Sequence, residues 1–281
     1  MQSNEVKPSQ TEPLNLEVEK VNWLATVVRE NWISGISLLI FVLSWELICF
    51  YEIIGPYQLV PPSEVFQVFI DKLTNPNPDG AVLYEHIIAS LSIALSGFLS
   101  AVIVGIPLGL VMGWYPRFNL LVRPLFDAIR PIPPIAWIPI AILWLGIDMQ
   151  AKAFIIFLAA FVPCVINSYT GIRLTNPVLI RVAQIYGASD FETFCKIGVP
   201  SAIPMIFTGM KLSLNAAWTT LVAAELLAAS MGLGFMIQLG RRLADPSIII
   251  VGMLTIGFLG AFLSWILSRI ESRFASSRRL T

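Results

Sequence analysis

Six long apolar segments restrict what this chain can fold into. They cover residues 35–54, 87–114, 132–147, 151–172, 202–229 and 247–270. About 20 apolar residues are enough for an α-helix to cross the hydrocarbon core of a bilayer. Inside a bilayer every backbone N–H and C=O must be paired, and a helix achieves this within one segment. The sequence therefore predicts an all-α membrane protein with six transmembrane helices.

Composition agrees with a membrane location and argues against binding to nucleic acid. Only 13% of the 281 residues are charged, the net charge is zero and the mean hydropathy is +0.77, whereas soluble domains carry about 25% charged residues. Membrane lipid is thus an expected partner. Residues 1–33 are predicted to form a polar tail and an interfacial helix containing Trp23 and Trp32. Residues 34–272 would form the transmembrane domain and residues 273–281 a second tail.

The distribution of Lys and Arg predicts the orientation. Thirteen of them fall in the N-terminal region, the loop after the second span, the loop after the fourth span and the C-terminal region. Four fall on the other side, and Lys211 lies within a span. Both termini and the loop after the fourth span are therefore predicted to face the cytoplasm, with the protein crossing the inner membrane several times.

The loop at residues 175–200 is a polar island with strong helix-capping patterns. Asn176 followed by Pro177 is typical of a helix start, and Gly187 is suited to a left-handed helix end. A second start follows at once, because Ser189 and Glu192 have capping-box spacing. This second helix is predicted to end at residues 198–200. Two capped helices joined at a glycine should form an elbow that docks onto another protein.

The spacing in this loop resembles a known family motif. Ala183, Gly187, Ile197 and the pair Val199-Pro200 are similar to the cytoplasmic coupling motif of permeases from binding-protein-dependent ABC importers. Here the usual Glu-Ala-Ala start reads Arg-Val-Ala, and the usual Leu-Pro reads Val-Pro. The resemblance implies that the residues contacting an ATPase are Ala183, Gly187, Ala188, Ser189, Asp190, Phe191 and Glu192. It also implies a type I importer fold with six spans and a coupling-helix elbow.

Two further stretches resemble a particular subgroup of these permeases. Arg130–Ile147 and Trp218–Gly234 are similar to segments shared by permeases that import nitrate, bicarbonate, taurine and alkanesulfonates. The whole sequence is most similar to cyanobacterial nitrate/nitrite permeases, with the bicarbonate permease very close, and no single residue decides between them. The prolines of the first stretch, including Pro134 and Pro139, remove backbone donors. They indicate either a structural kink or a helix that lines the substrate pathway.

The resemblance also implies partners. These are a second copy of the permease, two cytoplasmic ATP-binding subunits that hold ATP and magnesium, and an external substrate-binding protein. The chain has no GxxxxGK[ST] phosphate loop, so ATP hydrolysis is assigned to the partners and the chain itself is not expected to be an enzyme or to bind a cofactor. An ATP-independent channel or secondary transporter is the alternative class, although neither a filter nor several mid-membrane carboxylates are evident.

Charged residues within the spans are candidates for the pathway. Lys211 begins a helix face that continues through Asn215, Trp218 and Thr219, and this face offers one cation and several donors to an oxyanion. The candidate pathway residues are Lys211, Asn215, Trp218, Thr219, Pro134 and Pro139. The alternative role for Lys211 is an ion pair with Glu46.

Other polar residues in and beside the spans are assigned structural roles. Glu225 is expected to brace the outer face, and His86 is expected to be interfacial. No metal site is predicted, because Cys49, Cys164 and Cys195 lack metal-like spacing and are predicted to be buried.

The second span carries glycines at four-residue steps. Gly105, Gly109 and Gly113 lie on one helix face and would allow another helix to approach closely. This close helix belongs either to the same subunit or to a neighbouring copy, and the sequence leaves both alternatives open.

Overall fold

The computed structural model describes residues 16–228 and 230–276, and every regular element within them is a helix. This confirms the predicted all-α class. The α-helices are Leu16–Phe50 (α1), Pro62–Asp71 (α2), Leu83–Trp114 (α3), Pro116–Ile129 (α4), Ile138–Leu145 (α5), Met149–Arg173 (α6), Pro177–Ile185 (α7), Asp190–Thr193 (α8), Val199–Ala228 (α9), Leu233–Leu243 (α10) and Pro246–Ser276 (α11). A 3-10 turn at Pro134–Trp137 precedes α5, and a π-helical turn at Phe194–Gly198 joins α8 to α9.

The chain divides into two compact units, and the first ends at Ser63. Its helix α1 passes through Gly35 without a break, so no backbone boundary separates the predicted interfacial helix from the predicted first span. The Trp45 indole donates to the Val60 carbonyl at 3.0 Å. The Glu46 carboxylate accepts bonds from the Ser63 N–H at 3.2 Å and from its hydroxyl at 2.8 Å. These bonds hold the segment after α1 against the helix.

The second unit, from Glu64 onward, contains the long apolar helices. Within the described residues, four are long and apolar enough to cross a membrane, at Leu83–Trp114, Met149–Arg173, Asp190–Leu226 and Pro246–Arg273. They match the predicted second, fourth, fifth and sixth spans. In the third region, α4 and Pro134–Leu145 meet at 85°, because prolines interrupt the backbone ladder there. The structure thus supports four spans, or five if the bent pair is one, and the predicted six are not all confirmed.

Helices α3, α6 and α9 form the centre of this unit, with side chains from all three in one buried cluster. The glycine stripe of α3 faces α6. A Cβ atom at Gly105 would lie 2.9 Å from the Cys164 Cβ, and one at Gly109 would lie 2.4 Å from the Val165 carbonyl oxygen. These distances leave no room for a side chain. The stripe therefore packs helices within one subunit, which decides between the two alternatives left open by the sequence.

The predicted helix end at residues 198–200 is wrong. The chain stays helical from α8 into α9, and the Val199 N–H donates to the Phe194 carbonyl five residues back. Gly198 is needed for packing, since a Cβ there would lie 2.7 Å from the Trp114 ring. Pro200 has no backbone N–H to donate, and it lies just after the π-helical turn, where the backbone bonds already depart from the α-helical pattern. Cys195, predicted to be buried, lies on the π-helical turn and is exposed.

Candidate functional site

The first half of the elbow, residues 175–200, is capped as predicted. Asn176 accepts the N–H two residues further on at 2.9 Å, and Pro177 occupies the first helical position. Gly187 has φ +78°, the left-handed conformation that favours glycine. Just after it, the Ala188 N–H donates to the Ala183 carbonyl at 3.0 Å. This pairing satisfies a carbonyl at the end of α7 and reverses the chain sharply.

The second half begins with the predicted capping box. The Ser189 hydroxyl accepts the Glu192 N–H at 3.2 Å, and the Glu192 carboxylate accepts the Ser189 N–H at 3.1 Å. Bonds from the Ser189 backbone and hydroxyl, followed by the Lys196 ammonium 3.4 Å away, lower the pKa of Glu192 below its ordinary value. Glu192 therefore stays ionised at the N-terminus of this helix, where negative charge is favourable.

The bend of the elbow exposes large apolar side chains. Ile185 is 83% exposed, Tyr186 is 87% exposed and Phe191 is 67% exposed. These three residues form what we call the elbow patch. Burying side chains of this size in a partner would stabilise a complex, because each carries a large apolar area. Of the predicted coupling residues, Ala183 and Ala188 are half-buried, and the other five are exposed.

The elbow is also attached to the neighbouring helices. The Trp114 indole, at the end of α3, donates to Asp190 at 3.2 Å. The Trp114 and Tyr115 rings lie 5.6 Å and 5.9 Å from the Phe194 ring, measured between centroids. Burial, and then the Asp190 carboxylate, raise the pKa of Tyr115. A movement of the elbow would thus directly displace the junction of α3 and α4.

A cavity of about 450 Å³ lies between the bent region, α6 and α9. We call it the central cavity. Two predicted pathway residues, Pro134 and Thr219, line it together, whereas Pro139 is exposed and is not among its lining residues. The full lining is Ile129, Arg130, Ile132, Pro134, Trp137, Leu158, Ala159, Phe161, Val162, Pro163, Ala216, Thr219 and Thr220. Most of this surface is apolar, and Arg130 is its one charged lining residue.

Two other predicted pathway residues lie elsewhere on α9. Asn215 and Trp218 line a different cavity, of about 300 Å³, between α9 and α11. Trp218 is 92% buried, its indole donates to the Ile256 carbonyl at 3.1 Å, and its ring covers Gly260. Trp218 is therefore a packing residue between two helices. The predicted continuous face splits because residues 218 and 219, about 100° apart around α9, line different cavities.

Lys211 has a partner that the sequence analysis did not predict. Its ammonium pairs with the Glu271 carboxylate of α11, and both side chains are about one-third exposed. Glu46, the predicted partner, is instead bonded to Ser63. Lys211 is not among the residues that line the central cavity. The pairing with Glu271 was missed because that residue lies near the end of the last span, where a charge needs no special explanation.

Arg130 is the functional candidate that sequence reasoning missed. The predicted third span begins at residue 132 and leaves Arg130 outside the spans, but the bend between α4 and the 3-10 turn places it in the lining of the central cavity with Phe161 and Val162. Phe161 is the middle residue of α6, so the cavity that Arg130 lines reaches the middle of a span. One sequence signal was available. Arg130 begins the proline-rich stretch that was itself a pathway candidate.

At the end of the bundle away from the elbow, Glu225 holds a loop in place. It is 99% buried, and it accepts bonds from the Ser90 hydroxyl at 2.7 Å and from the Gly234 N–H at 2.8 Å. The Ser90 oxygen in turn accepts the Leu233 N–H at 2.8 Å. Glu225 thus joins α3, α9 and the start of α10, which places it in a bracing position.

His86 belongs to the same region and is fully buried, so the predicted interfacial role is wrong. Its Nδ1 accepts the Gly232 N–H at 3.1 Å, and its Nε2 lies 3.1 Å from an oxygen of Asp79. Asp79 also pairs with Lys72. Burial alone would raise the pKa of Asp79, but the His86 ring and the Lys72 ammonium hold it below its ordinary value. The loop before α3 folds over the histidine and excludes it from the surface.

The structure combines a proline-interrupted helix pair beside a cavity with a capped elbow on a bundle of apolar helices. Residues 105–278 match the family described as the binding-protein-dependent transport system inner membrane component. This chain belongs to that family, whose members are multi-pass transport permeases of the inner membrane and are not catalytic subunits.

Individual relatives agree with this assignment. The taurine transport system permease protein of Escherichia coli is 32% identical, with 92% of this chain and 94% of that protein aligned. A nitrate import permease protein of Leptolyngbya laminosa is 30% identical, with 88% of each aligned. A solved chain of the MetNI methionine ABC transporter, in an inward-facing conformation, has a TM-score of 0.61. It is 17% identical and covers 68% of this chain and 95% of its own length, which supports the fold.

Proposed function

We propose that this chain is the permease subunit of an ATP-driven importer for a small oxyanion, with nitrate or nitrite as the substrate. The central cavity is the observation that carries the proposal. Its one charged lining residue is a guanidinium, and Thr219 and Thr220 are polar residues of the same lining. A guanidinium binds planar oxyanions through two parallel N–H bonds, which suits nitrate.

Two other substrates are the alternatives within this proposal. Bicarbonate is also a planar monoanion, so the same cavity accommodates it. A sulfonate such as taurine is supported by the taurine permease of Escherichia coli, which is 32% identical to this chain. Nitrate is preferred because the central cavity is mostly apolar, which suits a weakly hydrated anion.

The elbow is proposed to dock onto the ATPase. The elbow patch supplies apolar contact area, and Asp190, Phe191 and Glu192 lie beside it with Gly187 as the hinge. We place the elbow and both termini in the cytoplasm, where two ATP-binding subunits would hold ATP and magnesium. A second copy of the permease and an external substrate-binding protein would complete the importer.

The test is uptake by the whole transporter. The permease, its ATPase and its binding protein would be reconstituted together in proteoliposomes, and labelled nitrate, bicarbonate and taurine would be compared. ATP-dependent uptake of nitrate is expected, and a hydrolysis-deficient ATPase is the matched control. Equal uptake with that control would contradict the proposal and favour a channel or a secondary transporter. Uptake of taurine alone would reassign the substrate.

A further inference from the structure

Arg130 stands where two cavities meet. It is the C-cap residue of α4, at the 85° bend. It lines the central cavity and also a second cavity of about 220 Å³. We call the second one the elbow-side cavity, because its lining includes Tyr169 and Thr170 near the elbow end of α6. The full lining of the elbow-side cavity is Met112, Asn119, Arg123, Phe126, Asp127, Arg130, Val165, Ile166, Tyr169 and Thr170.

The depth of each cavity follows from α6. The central cavity uses residues 158–163 of that helix, and the elbow-side cavity uses residues 165–170. At about 1.5 Å per residue, the centres of these two runs are about 10 Å apart along the helix. One extended guanidinium can reach ligands in both spaces, so an anion moving between them would pass within range of the same group.

The charge around Arg130 is positive but partly compensated. Asp127 lies 3.5 Å from Arg130 and 3.3 Å from Arg123. Two guanidinium groups and one carboxylate leave one net positive charge. Arg130 has five N–H donors and this contact occupies one nitrogen. Donors therefore remain for an anion, while the carboxylate competes for the same guanidinium.

We infer that Arg130 is the residue that selects for negative charge in the substrate pathway and passes the anion from the central cavity to the elbow-side cavity. This inference rests on the proposed function. The Arg130 side chain is 49% exposed, so its charge is partly screened. A cation that lines the cavity still lowers the free energy of an entering anion. Asp127 keeps that binding weak, which a transporter needs because the ion must leave. The role falls to Arg130 and not to Lys211, whose ammonium is neutralised by Glu271.

The first experiment compares three variants in the reconstituted transporter. Arg130→Gln should reduce uptake of the transported anion at least tenfold, and Arg130→Lys should retain part of it. The double variant Lys211→Met with Glu271→Gln is the control, because it removes a cation of a span together with the carboxylate that pairs with it, and its uptake should stay within twofold of wild type. Wild-type uptake by Arg130→Gln would overturn the inference.

A second experiment separates charge from folding. Cys49, Cys164 and Cys195 are first replaced, and Arg130→Cys is then labelled in detergent with a positively or a negatively charged methanethiosulfonate before reconstitution. The positive label should raise uptake at least threefold over the negative label. Equal uptake with both labels would overturn the role of Arg130 while leaving the proposed function intact. A wild-type transporter that imports none of nitrate, bicarbonate and taurine would overturn the proposed function, and this inference with it.

Discussion

At the scale of single residues, Gly187 shows how backbone conformation alone can demand a residue type. Its φ is +78°, yet a Cβ built on it would have no heavy atom within 4 Å. Space is therefore available, and only the left-handed conformation opposes a side chain. Asparagine tolerates this conformation, whereas β-branched residues do not.

This separation makes Gly187 a clean test of coupling. Gly187→Val should strain the elbow by at least about 1–2 kcal/mol, and should reduce both transport and substrate-stimulated ATPase activity while the subunit still inserts into the membrane. Gly187→Asn is the matched control and should keep most of both activities. Both readouts are measured in the reconstituted complex. Full coupling in Gly187→Val would show that the elbow does not need this turn.

Replacing Glu225 should lower the thermal stability of the subunit. Glu225→Ala would leave the buried N–H of Gly234 and the hydroxyl of Ser90 without their acceptor. Each unsatisfied group costs about 1–3 kcal/mol, so the thermal midpoint in detergent should fall clearly. Glu225→Gln retains one acceptor oxygen and should fall less. An unchanged midpoint for Glu225→Ala would contradict the bracing role.

At the scale of elements, helix caps, turns and long apolar helices could be predicted from the sequence. Features that depend on packing between distant elements could not. The caps at Asn176 and Ser189 and the turn at Gly187 could be predicted, because each depends on a few adjacent residues. The membrane helices α3, α6, α9 and α11 could be predicted from their length and apolarity. These features account for the elbow and for four of the six predicted spans.

The elements that failed depend on distant neighbours. Gly198 and Pro200 are typical of a helix end, but the helix continues through both residues. Gly198 instead packs against the Trp114 ring. The 85° bend that carries Arg130 into a cavity depends on where α4 packs. Helix α10 was not predicted, because 11 residues with two arginines are too short and too polar for a span. Sequence spacing contains none of this information.

The α3 glycine stripe leads to a prediction about helix packing. Gly109→Ala would place a Cβ 2.4 Å from the Val165 carbonyl oxygen and force α3 and α6 apart. A loss of stability of at least about 1–3 kcal/mol is expected, as for overpacking in cores. Gly257→Ala in α11 is the control, because nothing lies within 4 Å of a Cβ there. Differential scanning fluorimetry in detergent compares the two. Equal midpoints would mean that the stripe does not determine this packing.

At the scale of the whole molecule, orientation remains a prediction that labelling can check. In a background without native cysteines, a cysteine at Ser189 should react only from the cytoplasm, and one at Asn75 only from outside. An impermeant maleimide applied to intact cells and to inverted vesicles distinguishes the two sides. Labelling of position 189 in intact cells would reverse the proposed docking side of the elbow.

The unbroken helix from Asp190 to Leu226 has one more consequence. Its 37 residues extend about 55 Å, from the elbow at one end to the Glu225 brace at the other. A continuous helix of this length connects the two ends without an intervening loop. If ATP binding to an ATPase docked at the elbow alters how firmly an external protein is held at the far end, that protein must alter the affinity of the ATPase for ATP by the same factor. Binding of the external protein would then change ATP binding by the ATPase, with this one helix as the only connecting element.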